Sequence, residues 1–308
     1  MSRSFTVSPG ESLQAAIEKA AEGAVLSLAA GRWEENLRIA TSLTLRGAGP
    51  EETLIEGREE GWPTVWISTA GRITVRIEGL GIAGARGGCI DWPRGICADG
   101  LLVQGPAEVK IIGSAVSGNR RSGLFLRGAA RVEVVDSVIC ENGHYGLWLM
   151  DSARATIEGS TISENGRGPA DGLDSARDGI AVRGSARAEV SQSIISENGH
   201  HGLWVSDSAR AELRGSTISG NGRGGVWLRD GARVRIVGNR IIDNNGYGVA
   251  LYRRPCYLTS HPFSGRVRGR GNTISGRRWL GVNGQRAIAV CPPELEFLMT
   301  EEGGEYPG

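Results

Sequence analysis

The stretch ENGHHGLWVSDSARAELRG, residues 197 to 215, is a variant of two other stretches of the same chain. ENGHYGLWLMDSARATIEG occupies residues 141 to 159, and GNGRGGVWLRDGARVRIVG occupies residues 220 to 238. Each copy places a tryptophan between two aliphatic residues and follows it with a turn-like segment that begins at an aspartate or just before one. Such internal similarity at a short period indicates a solenoid of stacked units.

The repeat has a period of 23 residues, and two units carry an insertion of ten residues. Aliphatic anchors separated by 23, 23, 33, 23, 23 and 33 residues define it: Val116, Ile139, Ile162, Ile195, Ile218, Ile241 and Ile274. Asparagine recurs in the same register at Asn119, Asn142, Asn165, Asn198, Asn221 and Asn244. A unit this short has no core of its own, so its stability depends on stacking against its neighbours.

Three short segments with alternating polarity fill each unit, and they are of the types GLWLM, ARATIEG and STIS. Alternation interrupted by Gly, Asn, Asp and Ser predicts strands separated by turns. Three strands per unit predict an all-β fold, a single-stranded right-handed parallel β-helix of about 9–10 rungs. We expect the asparagines to adopt the left-handed conformation at a corner and to hydrogen-bond along the stack.

The whole chain, residues 1 to 308, is predicted to form one β-helix domain. Apolar residues recur at helical spacing within residues 1 to 24, which predicts an amphipathic helix that caps the first rung. Residues 25 to 276 supply the rungs, and residues 277 to 308 supply a second cap and a tail, EEGGEYPG, that we expect to be loose. Loop insertions are expected at about 84–98, 167–177 and 253–263.

The N-terminal runs SPGESLQAAIEKAAEG and GRWEENLRIATSLTLRGAGPEETLIEG resemble the opening of NosD-like proteins and of the related carbohydrate-binding and sugar-hydrolase (CASH-type) β-helix proteins. The resemblance extends over roughly residues 5 to 276. It implies a pectin-lyase-like fold and an extracellular or periplasmic location, although the chain shows no signal peptide. That superfamily includes hydrolases, lyases, epimerases and adhesins, so the resemblance implies no single activity. The QDTL, DPHD and GHG signatures of its pectin methylesterases, alginate epimerases and polygalacturonases are absent from the sequence.

One outward position of the GLWLM segments carries most of the tryptophans. Alternation along the strand directs Leu147 and Leu149 into the core and Trp148 outward. The same register predicts an outward tryptophan column: Arg38, Trp66, Leu102, Phe125, Trp148, Ala181, Trp204, Trp227 and Ala250. The three insertions border this face, as loops of a solenoid often do at its binding face.

This column predicts a surface on which the apolar faces of sugar rings stack. The expected binding residues are five members of the column and three flanking side chains: Trp66, Phe125, Trp148, Trp204, Trp227, Tyr145, Arg183 and Arg229. The two arginines suit the carboxylates of uronic acids. Two structural alternatives stand beside this interpretation, since the aromatic rings can stack on one another or the insertions can cover them as a separate small core.

Asp178 and His201 stand at equivalent positions of adjacent units and are the candidate catalytic acid–base pair. The alternative is a solvated corner without chemistry. Asp151, Asp207 and Asp230 have spacings compatible with the carboxylate pairs of glycosidases, but an aspartate in such a turn more often bonds to the backbone. No cofactor is predicted. A Ca²⁺ site of Asp171, Asp174 and Asp178 is conceivable, although no motif supports it.

The charge of the chain limits the classes of binding partner, and its cysteines indicate which disulfides can form. The net charge of +1 gives no overall attraction to nucleic acid, and no apolar run is long enough for membrane insertion. Nearly all basic residues are arginine, an excess that genome composition or a hot habitat explains without invoking function. Of the five cysteines, Cys89 and Cys97 are placed to form a disulfide, and the odd number leaves at least one free thiol.

Two functional hypotheses follow. The first is a polysaccharide- or oligosaccharide-binding β-helix, with hydrolase or lyase activity if Asp178 and His201 act on the bound chain. The second is a non-catalytic structural, adhesion or accessory solenoid of NosD-like type, with a protein partner or no ligand.

Overall fold

The computed structural model describes residues 4–91, 95–167, 177–254, 256, 262–276 and 289–307. Over these ranges the chain winds into a right-handed parallel β-helix with three long sheets, so the predicted fold class is confirmed. Successive rungs contribute one strand to each sheet, and we name the sheets by the order of the strands in the repeat. Nine rungs with all three strands follow one another from Leu37 to Ile274, and we number them from the N-terminus.

Sheet 1 contains the GLWLM-type strands, sheet 2 the ARATIEG-type strands and sheet 3 the STIS-type strands. The strands of sheet 1 are Leu37–Ile39, Val65–Ser68, Leu101–Gln104, Leu124–Arg127, Leu147–Leu149, Ile180–Val182, His201–Val205, Gly224–Leu228, Val249–Leu251 and Val290–Cys291. Those of sheet 2 are Ser4–Val7, Ala24–Leu28, Leu43–Arg46, Thr74–Glu78, Glu108–Ile112, Arg131–Val135, Arg154–Glu158, Arg187–Ser191, Arg210–Arg214, Arg233–Val237, Arg266–Arg270 and Gly304–Pro307. Those of sheet 3 are Gly31–Glu34, Thr53–Glu56, Gly81–Ala83, Ala115–Ser117, Val138–Cys140, Thr161–Ser163, Ile194–Ser196, Thr217–Ser219, Arg240–Ile242 and Thr273–Ile274.

The interior of the coil is an uninterrupted stack of aliphatic side chains. Leu147, Leu149, Ile157 and Ile162 of the fifth rung are all fully buried and belong to one core that runs along the whole coil. Each such side chain stabilises the fold by about 1.5–3 kcal/mol relative to an exposed one. Since alternation along each strand fixes which residues enter the core, it also fixes which residues face outward.

The recurrent asparagines form the predicted ladder at the corner between sheets 3 and 1. From Asn119 to Asn221, each buried Asn Nδ2 donates to the Oδ1 of the asparagine one rung further on, over 2.8–3.0 Å. The expected left-handed conformation is wrong for the asparagines themselves, because it falls on the preceding residue, as in Glu141, Glu164 and Glu197. The chain turns there, and the asparagine that follows points inward, where its amide satisfies buried backbone groups.

A second ladder, which was not predicted, lines the corner between sheets 2 and 3. The backbone N–H of each member donates to the side-chain oxygen of the next, as in Ser137 to Ser160 over 3.1 Å. Its members are Ser114, Ser137, Ser160, Ser193, Ser216, Asn239 and Asn272. Both ladders keep the backbone polar groups of a buried corner hydrogen-bonded.

Both ends of the coil are closed. The α-helix Leu13–Lys19 has Ser12 as its N-cap and buries Leu13 and Ile17 on the first rung. At the other end, the 3₁₀ helix Pro293–Met299 buries Leu295 and Leu298. Neither helix in the described part of the chain has the length and apolar composition needed to cross a membrane.

The C-terminal tail is ordered against sheet 2, so the expectation of a loose tail is wrong for Gly304–Pro307. This strand pairs antiparallel with Arg266–Arg270. Glu305 accepts from Arg266 and Arg268 over 2.8 and 2.6 Å, which holds the strand on the edge of the sheet. The proposed start of the C-terminal cap at residues 277–288 lies outside the described residues.

Candidate functional site

The tryptophan column lies on the outer face of sheet 1 in the register that the repeat predicts. Phe125 pairs with Trp148, Trp148 with Ala181, and Ala181 with Trp204. Arg38 and Trp66 precede them, and Trp227 and Ala250 follow them. Rungs stack about 4.8 Å apart, so successive members of the column are neighbours in space.

The middle of the column is covered. Phe125 and Trp148 are only 2% and 7% exposed, and their rings stack with centroids 4.3 Å apart. The Tyr145 ring also stacks with that of Trp148, with centroids 5.2 Å apart. The first insertion forms a small hairpin, Cys89–Asp91 with Ile96–Cys97, and its Ile96 packs on this cluster. The predicted disulfide Cys89–Cys97 closes the hairpin.

Trp227, near the C-terminal end of the column, is covered as well. It is 7% exposed and packs with Tyr247 and Tyr252. A disulfide joins Cys256, in the third insertion, to Cys291 in the last strand of sheet 1, and both cysteines contact this cluster. Much of the column is therefore a small core outside the coil, one of the two alternatives that the sequence leaves open.

Two patches of the column keep exposed aromatic surface. Near the N-terminus, half-buried Trp62 and Trp66 have ring centroids 5.7 Å apart, and the guanidinium of Arg38 lies 4.3 Å from the Trp62 ring. Near the C-terminus, half-buried Trp204 lies parallel to Tyr252 with centroids 6.4 Å apart. We call these the Trp66 patch and the Trp204 patch.

Both predicted arginines directly follow strands of sheet 1 that pair with the strand of Trp204. The guanidinium of Arg229 is 5.8 Å from the Trp204 ring centroid, and its Nε donates to Asp230 over 2.9 Å. Arg183 is half-buried, and among the described residues its Nε has no hydrogen-bond partner. This patch thus combines an aromatic face with two cations, one of them held in place by a carboxylate.

Asp178 and His201 are in direct contact under this patch. Nδ1 of His201 lies 2.9 Å from Oδ1 of Asp178, and the backbone N–H of His201 donates to the same oxygen over 3.0 Å. The pair is deeply buried, with Asp178 0% and His201 2% exposed, and the His201 ring packs against Trp204 and Trp227.

The same arrangement of aspartate and backbone occurs three rungs earlier, without a histidine. Oδ1 of Asp99 accepts the backbone N–H of Ser122 over 2.9 Å, as Asp178 accepts that of His201. Burial raises the pKa of the Asp99 carboxyl to about 6, against the opposing effect of Arg121. An aspartate at this corner therefore serves to bind the backbone of the next rung, whether or not an imidazole follows.

The turn aspartates have a structural role. Asp151, Asp207 and Asp230 are in the left-handed conformation, with φ of 57°, 58° and 53°. Asp151 accepts from the backbone N–H of Gly128 and Asp207 from that of Gly184, over 2.9 and 2.8 Å. Each carboxylate thus bonds to the preceding rung rather than to the backbone of its own turn, and the comparison with glycosidase carboxylates finds no support in these contacts.

The conceivable Ca²⁺ site depends on Asp171 and Asp174, which lie outside the described residues. Among the residues that the structure does describe, no three His, Cys, Asp or Glu side chains are grouped to hold a metal ion.

The comparisons with known proteins agree with this geometry. A family described as "Right handed beta helix region" matches residues 89–175 and 171–285, well over half of the chain. The chain belongs to the right-handed β-helix family. No curated protein matches the sequence significantly.

Solved structures with similar folds have low sequence identity to this β-helix protein. An alginate lyase from Paenibacillus sp. is 15% identical at a TM-score of 0.54, with 86% of this chain and 99% of that chain covered. The A-module of a mannuronan C-5 epimerase from Azotobacter vinelandii is 19% identical at 0.56, with 86% and 82% covered. Pectate lyase Pel9A is 15% identical at 0.52, with 92% and 72% covered. At these identities the likeness establishes the fold alone.

Some residues of the β-helix protein's sheet 1 face were not predicted as site residues. Trp62 precedes its strand and so falls outside the column, and Tyr252 stands at the far end of a strand. Asp99 occupies the same repeat position as Asp178, and this shared position could have predicted its equivalent role. The repeat does not predict Trp62, because this residue lies in an irregular connection between strands.

Proposed function

We propose that this β-helix protein binds a polysaccharide along sheet 1, with the Trp204 patch as its principal contact, and that it binds without turnover. The observation that carries the proposal is the partly exposed ring of Trp204, with the guanidinium of Arg229 5.8 Å from it and Arg183 at the end of the neighbouring strand, on a column whose middle is covered. A flat aromatic face suits the apolar face of a sugar ring, and guanidinium groups suit carboxylates or hydroxyl oxygens.

The Trp66 patch extends the same surface. Trp66 and Trp204 lie five rungs apart along sheet 1, which is about 24 Å. A chain of several sugar rings laid along the coil would reach both patches. Similarly folded proteins whose names identify them as alginate lyase, pectate lyase and mannuronan epimerase favour a carbohydrate ligand for such a coil.

Binding without turnover is favoured by the burial of Asp178 and His201. A general base must come within hydrogen-bond reach of the proton that it removes. The carboxylate of Asp178 is fully buried, its Oδ1 accepts the backbone N–H of His201 and contacts the imidazole Nδ1, and the imidazole is almost fully covered. We infer that this pair positions the corner beneath Trp204.

The test is a titration of intrinsic tryptophan fluorescence with neutral and acidic polysaccharides, for the wild type and for Trp204→Ala. A saturable change that Trp204→Ala abolishes is the expected result. Binding that persists in Trp204→Ala would place the ligand elsewhere. A silent panel would favour the non-catalytic structural or accessory solenoid with a protein partner. Release of reducing ends or of unsaturated products during the titration would contradict binding without turnover.

A further inference from the structure

The outer face of sheet 2 carries a column of arginines. Register pairing places one arginine at the first position of six successive strands, from rung 4 to rung 9. This arginine column consists of Arg131, Arg154, Arg187, Arg210, Arg233 and Arg266, and all six are exposed. At about 4.8 Å per rung, it is about 24 Å long.

The excess of positive charge is local. The outward positions of these six strands carry ten arginines and four glutamates. The whole chain has a net charge of only +1. The face is therefore a concentrated cationic strip on a nearly neutral protein, and it adjoins a shallow groove lined by Arg187, Arg210, Arg233 and Arg266.

The middle of the column is unpaired. Arg131 approaches Glu108 at 3.9 Å and Arg266 is paired with Glu305 at 2.8 Å. Among the described residues, Arg154, Arg187, Arg210 and Arg233 form no ion pair. Like charges directly opposite each other on a sheet are destabilising. Repulsion among these unpaired guanidinium groups would be relieved by a bound anion.

We propose that the arginine column is a second binding surface and that it takes an acidic polysaccharide laid along the axis of the coil. A guanidinium binds a carboxylate or sulfate through two parallel hydrogen bonds. One sugar ring has a length comparable to the rung spacing, so successive acidic groups meet successive arginines. This inference uses sheet 2 alone and does not depend on the function proposed for sheet 1.

The adjacent column favours a sugar polymer over other polyanions. Glu133, Glu189 and Glu212 occupy the next outward position, two residues along from the arginines. Carboxylates accept hydrogen bonds from sugar hydroxyls, whereas the phosphodiesters of DNA offer them no donor. The outward positions of these six strands contain no aromatic residue, although single-stranded nucleic acids are usually bound by stacking on aromatic rings.

The test compares two triple variants of the full chain. Arg187→Gln/Arg210→Gln/Arg233→Gln removes the centre of the column. Arg58→Gln/Arg86→Gln/Arg240→Gln makes the same change in net charge at three exposed arginines on other faces. The dissociation constants of both variants and of the wild type are measured for polygalacturonate, chondroitin sulfate, neutral dextran and duplex DNA, as a function of salt. Circular dichroism verifies that both variants fold.

The column variant is expected to bind the acidic polysaccharides about ten-fold more weakly, with a smaller salt dependence, while the control variant and dextran are unaffected. An equal loss in the control variant would show that only net charge matters and would overturn the proposal. So would wild-type protein that binds neither acidic polysaccharide, or that binds duplex DNA more tightly than both. Loss of acidic-polysaccharide binding in Trp204→Ala but not in the column variant would assign the binding to sheet 1 instead.

Discussion

Sheets 1 and 2 carry columns built by the same device, and the two columns have different surroundings. In both, one outward position carries the same type of side chain on several rungs, aromatic in sheet 1 and arginine in sheet 2. On sheet 1 the aromatic column is bordered by insertions, and segments such as the Cys89–Cys97 hairpin cover its middle. On sheet 2 the side chains of the arginine column stay exposed, although the third insertion directly precedes the strand of Arg266 in the sequence. An apolar column on such a coil thus has a structural role where loops cover it. A charged column stays exposed and is available to ligands.

The largest loss of stability is expected from a substitution in the covered part of the tryptophan column on sheet 1. Trp227→Ala should lower the free energy of unfolding by about 3–5 kcal/mol, because it removes a large buried side chain and leaves a cavity among Tyr247, Tyr252 and the Cys256–Cys291 bridge. Denaturant unfolding measures this change. A loss below about 1 kcal/mol, the size typical of surface substitutions, would mean that the cluster does not cover Trp227.

Asp99 should produce a pH dependence of stability. Its folded pKa of about 6 lies above the ordinary value of 3.8, so the folded state binds a proton that the unfolded state has released in this window. Stability should therefore fall as pH rises from about 4 to about 6, by roughly 3 kcal/mol at most, and stay constant above it with respect to this group. Unfolding free energies across this range are compared for the wild type and Asp99→Asn.

In Asp99→Asn this contribution to the pH dependence should disappear, since an amide does not titrate. The same fall in the variant as in the wild type would show that another group is responsible.

The half-exposed part of sheet 1 should respond differently from the covered part. Trp204→Ala is expected to cost about 1–2 kcal/mol of unfolding free energy, because part of the ring is already solvated. Denaturant unfolding beside Trp227→Ala provides the comparison. Equal losses in the two variants would show that both rings are structural and would remove the basis for the Trp204 patch.

The smallest change in stability is expected from a substitution in the arginine column on sheet 2. Arg210→Gln should raise the free energy of unfolding by about 0.5 kcal/mol, because it relieves repulsion from Arg187 and Arg233 on the adjacent rungs. Added salt should reduce the difference between variant and wild type. A destabilised variant would show instead that the arginines stabilise the coil by stacking.

How far the sequence predicts this molecule depends on periodicity. The 23-residue repeat and the two-residue period of a strand together give the register of the tryptophan column, including the gap at Ala181. They do not give its burial, since Ile96 and Cys256 lie in insertions that have no period. The tight contact of Asp178 and His201 is foreseeable from adjacent rungs, but its depth under Trp204 and Trp227 is not.

The arginine column was missed although the sequence contains it. The excess of arginine was attributed to composition, whereas the column arginines recur with the period of the repeat. Arg131, Arg154, Arg187, Arg210, Arg233 and Arg266 are spaced by 23, 33, 23, 23 and 33 residues, the steps of the repeat itself. A compositional bias would scatter arginine over all positions of the unit. Aligning charged residues on the period, as was done for asparagine, separates a column from a bias.

Sheets 1 and 2 are proposed to bind ligands separately. The deciding experiment measures, side by side, the affinities of the wild type, Trp204→Ala and Arg187→Gln/Arg210→Gln/Arg233→Gln for one acidic and one neutral polysaccharide. We predict that Trp204→Ala loses the fluorescence response of sheet 1, while the arginine variant keeps that response and loses about ten-fold in affinity for the acidic polymer alone. The same pattern of loss in both variants would contradict two independent surfaces.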